Sequence, residues 1–186
     1  MKKRIVVVVG LAVLLAASAY AQTTDFHFFA LVEAGTPQDV QAAISKGLDV
    51  NAKDKEGYTL LMHAANNQNP LVITTLLKAG ADINARDTAF GGTALVWAAG
   101  WNQNPEVITV LLAAGADINA MDNYGRTPLM AAARDNRNPE VLTTLLKAGA
   151  DGKVKNNTGK TAFDLAQNNR RLKGTDALKQ LEEATK

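Results

Sequence analysis

The sequence has no cysteine and only 2 histidines among its 186 residues. Without thiols it has no disulfides, no thiolate nucleophile and no sulfur ligands, and the same absence suits an oxidising compartment where a stray thiol is a liability. His27 and His63 have no second histidine or carboxylate at ligand spacing nearby, so both are read as helix-surface or partly packed residues rather than metal ligands or acid–base groups. No nucleophile motif, P-loop or dinucleotide fingerprint occurs. The expectation is a non-enzymatic protein with no cofactor and no metal. Aromatic residues are sparse at 5%. Long apolar runs are scarcer still: one extends from Ile5 to Ala17, broken by Gly10, too short to cross a bilayer comfortably, and no later segment is apolar enough to span one.

That run follows the charged Met1-Lys2-Lys3-Arg4 and precedes Ala19-Tyr20-Ala21, a small-x-small cleavage signal. Residues 1–21 are therefore read as a removable export signal of bacterial style, with a mature chain from Gln22 that is periplasmic or secreted. Losing Lys2, Lys3 and Arg4 takes the 20 basic residues to 17 against 18 acidic ones, so the formal +2 of the full sequence becomes −1. The charge balance then gives no reason to expect nucleic-acid binding. Residues 22–186 are enough for one domain of ordinary size.

What is present is a repeat. Thr59, Thr93, Thr127 and Thr161 recur every 34 residues and open the phrases Thr59-Leu-Leu-Met-His-Ala-Ala, Thr93-Ala-Leu-Val-Trp-Ala-Ala, Thr127-Pro-Leu-Met-Ala-Ala-Ala and Thr161-Ala-Phe-Asp-Leu-Ala-Gln. A period of that length marks a solenoid of stacked helix pairs, in which no unit buries its own apolar face. Threonine is a good N-cap, and the alanine pairs Ala64-Ala65, Ala98-Ala99 and Ala132-Ala133 let neighbouring helices approach closely. A second helix in each unit starts at Thr36-Pro37, Asn69-Pro70, Asn104-Pro105 or Asn138-Pro139, a cap followed by proline at the first helical position, where its missing N–H costs nothing. With Pro128 behind Thr127, all 5 prolines fall at predicted helix starts. The second helices carry the stripes Val72, Ile73, Leu76, Leu77; Val107, Ile108, Leu111, Leu112; and Val141, Leu142, Leu145, Leu146, and they close at Gly47, Gly80, Gly115 and Gly149. Asp-x-Asn-Ala then leads through an extended turn to the next glycine, at Gly57, at Gly91 or Gly92, at Gly125 and at Gly159.

These phrases resemble the ankyrin-repeat family, whose pattern joins Asp-x-x-Gly-x-Thr-Pro-Leu-His-x-Ala-Ala to Leu-Leu-x-x-Gly-Ala-Asp-x-Asn-Ala. The resemblance implies an all-α solenoid of about five helix-turn-helix units with projecting β-turn fingers. It divides the chain into an N-terminal cap (25–53), internal repeats (54–86, 87–121, 122–155) and a C-terminal cap (156–186). Where the family has histidine after Thr-Pro-Leu, this chain has Met62, Val96, Met130 and Asp164. The implied histidine bond to the finger is then absent and the turns looser. One residue is inserted near Phe90 and one in each interhelical loop of the second and third internal repeats. The final helix, Thr175 to Glu183, has the polar outer face that a solvent-facing cap requires, and a monomer is expected.

The aspartates recur in register, Asp49, Asp82, Asp117 and Asp151 after the glycines and Asp54, Asp87 and Asp122 at the unit starts; they read as turn punctuation rather than a calcium ladder. The residues that the repeat does not dictate carry more information. On the fingers and first helices, which the resemblance places on a concave face, stand Lys55, Glu56 and Tyr58, then Arg86 and Phe90, then Asn123, Tyr124 and Arg126, then Lys155 and Lys160. Exposed aromatics flanked by Arg and Lys have the composition of an interaction patch; a solvated finger surface is the alternative. Tyr58, Phe90 and Tyr124 show no obvious core to join. Trp97 is read as packing between repeats, with contact as its alternative. Trp101, at a helix end, is the first candidate hot spot, matched elsewhere by Asn66 and Asn67 and by Arg134 and Asp135 in a polar groove. The leading reading is an exported module that holds another protein, one with an acidic surface, in a role such as inhibitor, immunity protein or stress-defence accessory factor. The competing reading is a small-ligand or glycan-binding protein built on the Trp101 region.

Overall fold

The computed structural model describes residues 28–186. The expected signal, the start at Gln22, the first cap residues from Asp25 and His27 lie outside the described residues. Helices account for the regular structure that is described, with one isolated antiparallel bridge between Lys53 and Thr59.

A helical segment at 28–34 opens the stack and is followed by α1 (Pro37–Ser45). Three helix pairs come next: α2 (Leu60–Ala64) with α3 (Pro70–Lys78), α4 (Ala94–Trp101) with α5 (Pro105–Ala113), and α6 (Pro128–Asp135) with α7 (Pro139–Lys147). The pair α8 (Ala162–Ala166) and α9 (Asp176–Thr185) ends the chain. First helices pack on first helices and second helices on second helices, so two layers run along the stack. Capping follows the sequence closely. Thr59, Thr93, Thr127 and Thr161 each accept from the N3 backbone N–H, and Pro37, Pro70, Pro105, Pro128 and Pro139 stand in the first helical turn.

The core is continuous from Phe29 to Leu181, with Leu60, Ile73, Leu76, Leu95, Ile108, Leu111, Leu129, Leu142, Leu145 and Leu172 all essentially inaccessible. Ala98, Ala99, Ala132 and Ala133 are equally buried, which is the close approach that small side chains allow between first helices.

A second spine of the stack is polar, and it was not expected. Asn67, Asn102, Asn136 and Asn169 are buried at the ends of the first helices. The Asn102 amide donates to the carbonyls of Ala65 and Asn67 at 2.7 and 2.8 Å, that of Asn136 to Ala99 and Asn102 at 2.8 Å each, and that of Asn169 to Ala133 and Asn136 at 3.1 and 2.9 Å. Asn67 does the same to Val32 and Gly35. Each Oδ1 accepts the backbone N–H two residues on, which in the three internal units presets the cap of the second helix at Asn69, Asn104 and Asn138. Among the described residues no buried side-chain polar atom is left without a partner. Asn67 is thus a rung between units and not part of a groove.

Two expectations are corrected. The extra residue in the second and third internal repeats does not enlarge a loop: α4 and α6 have 8 residues where α2 has 5, so the insertion lengthens the first helix ahead of the spine asparagine. Nor are the fingers loose. The Thr88 hydroxyl donates to Glu56 O at 2.6 Å, Asn123 N to Phe90 O at 2.9 Å and Asn157 N to Tyr124 O at 3.1 Å, so each finger is tied to the preceding one. At the missing histidine positions, Met62 Sδ accepts from Thr59 N at 3.4 Å and Asp164 Oδ2 from Thr161 N at 2.8 Å. The tie also explains one glycine. Gly57 has φ +83°, and a Cβ there would lie 2.8 Å from the Thr88 backbone nitrogen.

Candidate functional site

Each of the first three fingers starts with an aspartate whose Oδ1 organises the turn by accepting backbone N–H groups: Glu56 and Tyr58 on Asp54, Phe90 and Gly91 on Asp87, Tyr124 and Arg126 on Asp122. Punctuation is therefore a sound description of Oδ1. The second oxygen is used differently in each unit. Asp54 Oδ2 pairs with His63 Nε2 at 2.8 Å, Asp87 Oδ2 accepts from Trp97 Nε1 at 3.1 Å, and Asp122 Oδ2 from Arg126 Nε at 2.6 Å. His63 and Trp97 hold the same position in successive first helices, and where α6 has the short Ala131 instead, the finger supplies its own arginine.

His63 is partly packed, as expected, but the expectation that no carboxylate stands beside it is corrected here. Its Nδ1 also lies 2.7 Å from Glu33 Oε1, so folding brings together two carboxylates that are distant in sequence, one from the N-terminal helical segment and one from the first finger. Both nitrogens donate at once only when the ring carries its second proton. No serine, threonine or cysteine lines the cleft beside it, and the pairing acts as a clasp between the first cap and the first finger. Among the described residues, no group of three or more His, Asp or Glu is placed to hold a metal ion.

The finger bases also bear a run of aromatic rings. Phe29 meets His63 at 4.8 Å between centroids, His63 meets Tyr58 at 6.0 Å, Tyr58 meets Trp97 at 5.2 Å, Trp97 meets Phe90 at 5.9 Å and Phe90 meets Tyr124 at 6.3 Å. The contacts are tilted or edge-on, the arrangement that aromatic quadrupoles favour, and the Arg126 guanidinium closes the run 5.1 Å above the Tyr124 ring. Burial, followed by the charges of Asp87, Asp54 and Glu56, pushes the Tyr58 phenol above its ordinary value of 10.0.

Between the second and third fingers the run opens into a cleft of about 230 Å³, walled by Phe90, Trp97 and Trp101 and rimmed by Arg126 and Arg134. Trp101 is 60% exposed, Tyr124 54% and Phe90 36%, in a stack whose other large apolar side chains are mostly buried. A projecting finger, a short first helix, a second helix behind it and a left-handed glycine closing the second helix recur through the stack, and the ankyrin-repeat family model matches residues 26–122 and 95–184. The chain belongs to the ankyrin-repeat family. Ankyrin repeats are protein–protein interaction modules, and the fold is typically a binding scaffold. The chain is also similar to the mitochondrial disaggregase of Homo sapiens, 42% identical over 81 residues that make up 42% of this chain and 12% of that protein, and to that of Bos taurus at 41% over 81 residues. It matches only about an eighth of the length of these relatives.

On this ankyrin stack the expected site residues separate into groups. Phe90, Trp101, Arg126 and Arg134 come together at one cleft, with Tyr124 beside Phe90. Tyr58 does have a core to join: it packs half-buried against Trp97 and His63 and lines the neighbouring cleft with Glu33, Met62 and Asn66. Trp97 both packs and lines, since it stands between the two clefts. Lys55 and Glu56 pair with each other at 3.5 Å on an exposed finger tip, Arg86 is bound to the Met121 carbonyl, and Asn123 stacks fingers; none of these lines the cleft. Lys155 and Lys160, in the last finger, lie near Asp164 of α8, whose carboxyl is held below its ordinary value of 3.8 first by hydrogen bonds from Thr161 and then by these two charges. Asp135, expected in the polar groove beside Arg134, does line the cleft, and so does Gly100, which was not among the expected contacts. Position offered a signal for Gly100: in the other units the equivalent residues are Asn66, Arg134 and Asn168.

Proposed function

We propose that this ankyrin-repeat protein is exported by a bacterial cell to its periplasm or surroundings, and that it there holds one partner protein on its finger-and-first-helix face as a monomeric, non-enzymatic accessory or inhibitory factor. The observation that carries the reading is the exposed cleft of Phe90, Trp97 and Trp101 beside Arg126 and Arg134. Large aromatics and arginine around a partly desolvated pocket are the composition of binding hot spots. The cleft favours a protein over a glycan or small ligand, because its volume of about 230 Å³ suits one large side chain and falls below the ~300–1,000 Å³ of ordinary ligand pockets. Lys55, Arg86, Lys155 and Lys160 on the fingers support an acidic partner surface and salt-sensitive association. Disaggregation, the activity in the relatives' name, is not carried over, since the shared stretch is 12% of their length.

Export is supported by the charged start, the apolar run and Ala19-Tyr20-Ala21. Cell fractionation with N-terminal sequencing is expected to find the protein outside the cytoplasm and starting at Gln22; a cytoplasmic protein that keeps Met1 contradicts export. Binding is tested by using the protein as bait in envelope extract and culture medium, with a Trp101→Ala, Tyr124→Ala variant as control. A protein held by the native bait and lost by the variant is expected. Equal capture by both would move the site off this face.

A further inference from the structure

The cleft has a feature that the fold does not require. Gly100 lies inside α4, not in a left-handed turn, and a Cβ added there would meet only the Ala131 Cβ, at an ordinary 3.7 Å. Glycine inside a helix is unfavourable relative to alanine, and the other units place Asn66, Arg134 and Asn168 at this position. What the missing side chain leaves is an open floor between Trp97 and Trp101.

The rim adds a second observation. Arg134 spends only Nε on its carboxylate, reaching both oxygens of Asp135 at 3.0 Å, and Arg126 likewise spends Nε on Asp122 at 2.6 Å. Among the described residues no further hydrogen bond uses the Nη groups of either guanidinium, so two N–H forks stand free beside an apolar pocket. Such forks match a carboxylate in bidentate geometry. Asp122 and Asp135, which also line the cleft, offset the charge of the two guanidiniums, so the site suits a single carboxylate rather than a polyanion such as a nucleic-acid backbone.

We propose that the cleft receives a protein segment that inserts one aromatic or large aliphatic side chain over Gly100, between Trp97 and Trp101, and lays a neighbouring carboxylate across the free Nη groups of Arg126 and Arg134. The proposal rests on the protein-binding reading and adds the chemistry of the partner. Selection of a displayed random peptide library on the whole protein, followed by tryptophan-fluorescence titration of the recovered peptides, tests it. The expected peptides carry an aromatic or large aliphatic residue next to Asp or Glu. Arg134→Gln, at a half-exposed side chain with no buried role, weakens them about ten-fold, the factor expected for losing one charge-assisted hydrogen bond. Gly100→Leu abolishes binding, and Gly100→Ala weakens it while raising the denaturation midpoint, a combination that a purely structural glycine would not give. Recovered peptides without an acidic residue, or unaffected by Arg134→Gln, overturn the proposal; if they are still lost on Trp101→Ala, the protein-binding face stands. Peptides indifferent to both Trp101→Ala and Gly100→Leu, or no enriched peptide at all, overturn both.

Discussion

Trp101 and Asn102 are neighbours in sequence at the end of α4, and they belong to different parts of the molecule. Asn102 is fully buried and repeats as Asn67, Asn136 and Asn169, each holding carbonyls of the unit before it. Trp101 is 60% exposed, has no aromatic counterpart in the other units and makes no hydrogen bond among the described residues. In a stack in which every unit must bury the face of the next, what repeats maintains the interfaces between units, and what does not repeat is free to meet a partner. The insertion that lengthens α4 and α6 lies where these two demands meet: it carries Trp101 and Arg134 outward without moving the spine asparagines out of register.

The largest effect should come from breaking the spine. Asn136→Ala leaves the carbonyls of Ala99 and Asn102 and the Asn138 N–H without their partner, at a cost of about 3 kcal/mol in chemical denaturation. A loss below about 1 kcal/mol would mean that water replaces the rung. Next come the glycines. Gly57→Ala is expected to cost about 2 kcal/mol, through both its positive φ and its collision with the Thr88 backbone, against about 1 kcal/mol for Gly80→Ala, whose φ of +95° is similar but whose Cβ would point into open space. Equal thermal shifts for the two variants would show that the finger stack is not rigid.

Smaller effects test the boundary between stabilising and exposed residues. With the Tyr58 phenol pushed above 10.0, the neutral ring's contribution to stability is complete below that pH and is lost as pH rises through the folded-state value. Tyr58→Phe should therefore remove the later phenolate step from an ultraviolet titration and delay alkaline unfolding. Asp164, in the first turn of α8, has the opposite sign. Hydrogen bonds first from the Thr161 backbone N–H and then from its hydroxyl hold the carboxyl below 3.8, so its contribution is present above that value and lost as pH falls through the lowered one. Asp164→Asn should blunt the acid sensitivity of the final unit in hydrogen exchange; unchanged acid sensitivity would remove the cap from the account.

The all-helical stack, the caps, the prolines at helix starts and the turn role of the aspartates were legible because each is a local rule repeated at a fixed period. The asparagine spine was partly legible as well, since Asn67-Gln68-Asn69-Pro70, Asn102-Gln103-Asn104-Pro105 and Asn136-Arg137-Asn138-Pro139 repeat as phrases. The second asparagine of each has a role that local sequence explains, as does the Oδ1 of the first; the amide N–H groups of the first bond across 32 to 37 residues. The His63 clasp was illegible for the same reason, because Glu33 is 30 residues away. Of the candidate contacts, the aromatics and arginines around Phe90 and Trp101 did converge. Arg86 and Asn123 did not, because their hydrogen-bonding groups satisfy neighbouring backbone, a competition that composition does not reveal.

The most direct measurement compares Trp101→Ala with Asn102→Ala, each for denaturation midpoint and for affinity to the captured partner or a selected peptide at a temperature where both are folded. Trp101→Ala should leave stability within about 0.5 kcal/mol of the native protein and reduce affinity at least ten-fold, while Asn102→Ala should lower stability by about 3 kcal/mol and leave affinity nearly intact. If the two variants instead lose stability and affinity in parallel, the separation of a repeated stabilising spine from a unique binding face is wrong.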